Sequence, residues 1–173
     1  NDLSDLDKKL SVKILRVDHC GEVCAQALYK SQAMFAEDWN IKQALQQSAT
    51  EEIHHLNWCK TRLAELNGKT SYLAPTFGLG AFFIGSIFGI AGDKWSLGFL
   101  AETEHQVTKH LSSQLEKLSL RDRKTRLILE QMRIDELNHA TTAENNGGVP
   151  LPKSIKFIMQ GCAKIMTTAT QYI

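Results

Sequence analysis

Apolar residues recur along most of this chain at intervals of three and four, the period of a helix with one buried face. At about 100° per residue, Leu15, Ala25, Tyr29 and Ala33 fall on one stripe. Ile41, Leu45, Ala49, Leu56, Leu63 and Leu66 form a second, and Leu97, Leu100, Val107, Leu111, Leu115 and Leu118 a third. Leu129, Met132, Ala140 and Ala143 form a fourth. The stripes predict helices over 11–35, 41–66, 94–118 and from 119 to about 146, with a fifth from 153 to the C-terminus. Punctuation agrees with the period. Asn67-Gly68 is a C-terminal stop, Ser119-x-x-Asp122 resembles a capping box, and Asn146-Gly147-Gly148 precedes Pro150.

Residues 70–92 break the pattern. They carry no charge and include Tyr72, Phe77, Phe82, Phe83, Ile87 and Phe88. A connection this long is rarely inert. Two hairpins joined by one long crossover is the connectivity of ferritin-like bundles. The 173 residues hold only three prolines and no alternating strand-like runs. The expectation is an all-α fold: one ferritin-like domain over 1–173, with a membrane-associated crossover at 70–92 and an additional C-terminal helix at 150–173.

Six polar residues sit in the middle of the apolar stripes. Glu22 precedes Glu52-x-x-His55 by thirty residues, and Glu104 precedes Glu136-x-x-His139 by thirty-two. Each Glu-x-x-His pair stacks a carboxylate and an imidazole on one helical face. Glu51-x-x-His54 and Glu102-x-x-His105 match the same pattern, but Glu51 lies about 100° off its stripe and Glu102 faces away from Glu104. A lone inward Glu or His usually has an ordinary partner. Four carboxylates and two histidines facing one core are too costly to bury without cations. One cation cannot use six ligands, so a metal pair is expected, held by Glu22, Glu52, His55, Glu104, Glu136 and His139. Oxygen-rich ligation with two imidazoles suits Fe or Mn better than Zn.

Charge and cysteine content narrow the partners. Twenty basic and nineteen acidic side chains leave a formal charge of +1, which gives no electrostatic case for nucleic acid. Cys20, Cys24, Cys59 and Cys162 fit neither a zinc site nor a disulfide framework and read as reduced thiols. No signal-peptide pattern is visible.

Several segments resemble the demethoxyubiquinone hydroxylase family of ubiquinone biosynthesis. They are Arg16-Val-Asp-His-Cys-Gly-Glu22, Glu52-Ile-His-His55-Leu-x-Trp-Cys, Ala101-Glu-Thr-Glu104-x-Gln-Val-x-x-His110-Leu and Asp135-Glu136-Leu-x-His139-Ala. With the apolar crossover, they separate the chain from storage ferritins. The resemblance implies a di-iron monooxygenase with two Fe per chain. It would hydroxylate the ring of a polyprenyl methoxy-methyl-benzoquinol, 3-demethoxyubiquinol, with dioxygen. One oxygen atom enters the ring and the other leaves as water. The six residues named above are then the ligands, with Glu52 and Glu136 bridging. Asp135 and Glu51 are candidates for steadying the histidines, and His110 for assisting proton or electron transfer. Arg16 and Asp18 are expected to pair. Relatives with an aromatic residue after the His110 position differ from this chain, which has Leu111.

A substrate with an isoprenoid tail requires a membrane surface. Residues 70–92 are long enough to span, but Pro75, Gly78, Gly80, Gly85 and Gly89 interrupt them. A single crossing would also put the two hairpins on opposite sides. A hairpin or helix lying in the interface satisfies both facts. Residues 145–173 add a segment with Lys153, Lys156 and Lys164 among apolar side chains, where Glu144 is the last acid. The expected location is peripheral: the cytoplasmic face of a bacterial inner membrane, or the matrix face of the mitochondrial inner membrane. A homo-oligomer or a helper protein of the same pathway remains open. Two other readings compete. One is a ferritin-like iron-binding protein without oxygenase activity, which needs no apolar crossover. The other is a membrane-associated lipid-binding scaffold, which needs no intact ligand set.

Overall fold

The computed structural model describes residues 3–172. Among these it contains six helices and no strand: α1 Asp5–Phe35, α2 Trp39–Glu65, α3 Ala74–Ile90, α4 Asp93–Lys117, α5 Arg123–Asn145 and α6 Lys153–Thr170. The four predicted bundle helices are present, and the chain is all-α as expected. Helices α1 and α2 form one antiparallel hairpin, and α4 and α5 the other.

Local chemistry sets the boundaries. Helix α1 starts six residues before Ser11 because Ser4 caps it. Its Oγ accepts from the Asp7 N–H at 3.1 Å, and Asp5 and Asp7 oppose the positive helix end. Helix α2 stops where Asn67 takes φ 57° and the Gly68 N–H bonds to Leu63 O at 2.8 Å. The expected capping box before α5 is not the one that forms. Asp122 is itself the N-cap, its Oδ1 accepting from the Thr125 N–H at 3.1 Å. Buried Asp122 also accepts from Ser11 Oγ at 2.5 Å and from Arg62 Nη2 at 2.8 Å. One carboxylate thus joins α1, α2 and α5 at one end of the bundle, where its partners offset the cost of burying its charge.

The crossover is a single helix, α3, lying along α1 in the same direction. Glycine makes the approach close. A Cβ on Gly78 would stand 2.9 Å from Val23, and one on Gly89 2.9 Å from Phe35. At Gly85 it would stand 3.0 Å from the Leu28 carbonyl, a backbone atom that cannot swing aside. The opposite face of α3 exposes Leu79, Phe83, Ile87 and Ile90. Among the described residues no helix is long and apolar enough to cross a membrane.

Helix α6 runs back along the bundle. Lys156 pairs with Glu102 of α4 at 2.6 Å, and Arg16 Nη1 donates to Gln171 O at 3.2 Å. Two apolar layers fill the interior. One is built around Leu28, Leu45, Leu97, Leu100 and Leu151. The other is built around Leu15, Leu63, Leu111, Leu129 and Met132. Each fully buried Leu contributes about 2 kcal/mol. Between the layers, all four bundle helices place buried carboxylates, a centre that opposes folding on its own.

Candidate metal centre

Glu22 comes from α1, Glu52 and His55 from α2, Glu104 from α4, and Glu136 and His139 from α5. All six are buried. They form two groups. Ligand atoms of Glu22, Glu52, His55 and Glu136 lie within 4.8 Å of one another, as do those of Glu52, Glu104, Glu136 and His139. Glu52 and Glu136 belong to both. Glu52 places Oε2 3.1 Å from His55 Nδ1 and Oε1 3.1 Å from His139 Nδ1. Glu136 does the same with Oε1 at 3.3 Å and Oε2 at 3.1 Å. Each of these carboxylates therefore has one oxygen on each side of the centre.

The opposite ring nitrogens are held from across the bundle. His55 Nε2 lies 3.0 Å from Asp135 Oδ2, and His139 Nε2 lies 2.8 Å from Glu51 Oε2. The exchange is reciprocal, because each hairpin's histidine is steadied by the acid preceding the other hairpin's ligand glutamate. An acid on Nε2 fixes the tautomer that leaves Nδ1 free to donate its lone pair inward.

The electrostatics describe a centre in need of positive charge. Burial, reinforced by the charge of Glu52, raises the Glu22 proton affinity well above the carboxylate range. Burial and Glu136 do the same to Glu104. Burial opposes charge on His139, but bonds to Glu136 and Glu52 outweigh it and push its pKa up to about 11. His55 is raised in the same way, against burial, by Glu136, Glu22 and Glu52. Glu52 is lowered, because His139 and His55 outweigh its burial. Protonated imidazoles thus stand where cations would. A donor set of carboxylate oxygens and imidazole nitrogens, with no thiolate in either group, fits iron.

The family described as ubiquinone biosynthesis protein COQ7 matches residues 9–170. This chain belongs to that family. Three similar proteins are each named 3-demethoxyubiquinol 3-hydroxylase. The one from Nitrosococcus oceani is 50% identical over 99% of this chain and 80% of its own length. The one from Polynucleobacter necessarius is 51% identical over 96% of this chain and 80% of its own. The one from Nitrosomonas eutropha is 47% identical over 100% of this chain and 83% of its own.

Other residues of the COQ7-family motifs take different places. His110 lies outside both groups. Its Nε2 is 2.9 Å from Gln114 Nε2, which also donates to buried Asp18 Oδ1 at 2.7 Å. Burial, partly offset by that bond, pushes the Asp18 carboxyl up to about 7. The expected Arg16–Asp18 pair does not form. Arg16 donates to the Lys69 and Gln171 carbonyls instead, because Asp18 points inward. The two decoy motifs have surface or bracing roles. Glu102 holds Lys156, His105 meets Glu144 at 2.8 Å, and His54 is exposed. Tyr29, read from sequence only as part of an apolar stripe, has its hydroxyl on Glu104 Oε1 at 2.8 Å. The available signal was its own chemistry, since a tyrosine buried mid-stripe needs a partner for its O–H.

Proposed function

We propose that this chain is a 3-demethoxyubiquinol 3-hydroxylase, a di-iron monooxygenase of ubiquinone biosynthesis with two Fe per chain. The duplicated, fully buried ligand set carries the reading, and the names of its relatives agree with it. Glu52 and Glu136, which belong to both groups, would hold both ions. Glu22 and His55 complete one position, and Glu104 and His139 the other. When bound, the iron pair supplies the electrons that activate dioxygen. The chain's own part is positional. Asp135 and Glu51 keep both Nδ1 atoms directed inward. The apolar layers above and below exclude water from the reacting oxygen. His110, bonded through Gln114 to Asp18, assists proton or electron transfer near the quinol.

The test is turnover. Iron-loaded protein with a reductant and labelled dioxygen is expected to place one labelled oxygen atom on the ring of 3-demethoxyubiquinol, read by mass spectrometry. Iron oxidation without labelled product would favour an iron-handling protein instead.

The exposed apolar faces of α3 and α6 dock the enzyme on a membrane that holds the quinol's tail. Phe82, Phe83 and Phe88 all belong to the uncharged apolar segment 70–92. However, Phe88 stacks on Phe99 with centroids 4.1 Å apart and serves the core. The outward set is Leu79, Phe83 and Ile87, each about three-fifths exposed (59%, 61% and 64%). Changing all three to Ser is expected to weaken liposome sedimentation and turnover of long-tailed quinol, since each buries apolar area in the interface. Iron content and turnover of a short-tailed quinol should hold. Normal liposome binding by the triple variant would make α3 a bracing strut only.

A further inference from the structure

The two halves of the site repeat in sequence, but their surroundings do not. Glu22 corresponds to Glu104, and α1 runs antiparallel to α4. Two turns past either glutamate, the chain comes level with the other. Seven residues after Glu22 is Tyr29, whose hydroxyl donates to Glu104 Oε1 at 2.8 Å. Seven residues after Glu104 is Leu111, 1% exposed and unable to donate. The result shows in the carboxylates. Tyr29 gives Glu104 its one hydrogen bond among the described residues. Glu22 Oε2 is buried with no hydrogen-bond partner, and its nearest ring nitrogen, His55 Nδ1, is 3.7 Å away. Tyr29 is itself fully buried and set edge-on to His139, with ring centroids 5.9 Å apart. It has no water to turn to if Glu104 moves. Every release of Glu104 strands a buried hydroxyl, whereas Glu22 can reorient without breaking any hydrogen bond.

Resting on the metal-pair reading, we propose that the two positions are unequal. Tyr29 acts as a positioning residue that fixes Glu104 and makes the Glu104/His139 position the tighter one. Glu22, facing Leu111, is the carboxylate free to change its mode, and it opens the Glu22/His55 position to the incoming reactant.

The test is a cobalt(II) titration of the metal-free protein, followed by the visible bands of the bound ion. The wild type should fill in two resolved steps. Tyr29→Phe, which keeps the ring and removes the donor, should weaken the first step about 10-fold or more and leave the second in place, in the range expected for losing a partner of a metal ligand. Leu111→Tyr supplies the missing donor to Glu22. It should tighten the second step and slow turnover at full metal content. If Leu111→Tyr does not fold, Tyr29→Phe decides alone. A single unresolved step in the wild type overturns the inference. So does a Tyr29→Phe variant with both steps unchanged, or with both weakened alike as a general loosening of the core would give. Failure to bind cobalt at all would defeat the metal reading itself, a result distinct from these.

Discussion

Glu52→Ala is expected to empty both metal positions together and abolish hydroxylation, because Glu52 offers an oxygen to each group. Glu22→Ala should remove one position and leave the Glu104/His139 side able to hold metal. Iron per chain would then fall from about two to about none in the first variant and to about one in the second. Helical phase alone, which sets Glu51 beside the ligand stripe, would make Glu51→Ala neutral for iron. Its 2.8 Å contact with His139 Nε2 changes that, and Glu51→Ala should weaken metal binding about 10–100-fold. His54 is exposed and is the proper control: His54→Ala should leave iron unchanged. Metal analysis after desalting measures all four. A Glu52→Ala protein retaining a full iron complement would break the assignment of the bridging carboxylate.

The second large effect is a pH-dependent gain in stability on metal binding. In the metal-free protein Glu22 and Glu104 bind protons more tightly folded than unfolded. So do Asp18, raised to about 7, and His139, raised to about 11. His55 is raised as well. A raised carboxyl favours the folded state less and less as pH climbs past its unfolded value. A raised histidine contributes fully below its unfolded value and loses that contribution as pH rises toward its folded one. Glu52 is lowered and works the other way, but its contribution is lost only in acid. From about pH 5 upward the metal-free bundle should therefore weaken steadily. Metal displaces the protons at the ligand residues, and each one displaced adds about 1.4 kcal/mol of metal-linked stability per pH unit. Calorimetry with and without metal between about pH 6 and pH 8.5 should show the gap in Tm widening. A gap that stayed constant or narrowed would mean that the protons are not held where the metal goes.

Much of this centre was legible because helical phase is a strong constraint. Glu52 and Glu51 differ by one residue, yet one falls within the Leu45–Leu63 stripe and the other beside it. The burial of Glu52 and the partial exposure of Glu51 follow from that. Phase says what faces inward, not what an inward group touches on another helix. The reciprocal contacts of Asp135 and Glu51 and the Tyr29–Glu104 bond each span two helices, and no spacing within one helix encodes them. The facing of the crossover helix was not legible for a different reason. With apolar residues on every side, residues 70–92 have no stripe to read. What orients α3 is the row of glycines that lets it settle on α1. Asp122 misled through ambiguity, since an acid three residues after a serine fits either the end of a capping box or the cap itself.

The placement of α3 bears on how the chain assembles as it is made. Its main partner is α1, which is synthesised well before it, and not α2, which immediately precedes it. Two parallel helices need an intervening one to return the chain, and α2 serves as that return. By about residue 92 three helices can already sit together, with Glu22, Glu52 and His55 in place and the face of α1 that α3 covers no longer bare. The second hairpin, whose own contacts are local, then arrives as a preformed pair. It brings Asp135 and Glu136 to a half-built site, so docking the two halves and completing the ligand set are one event.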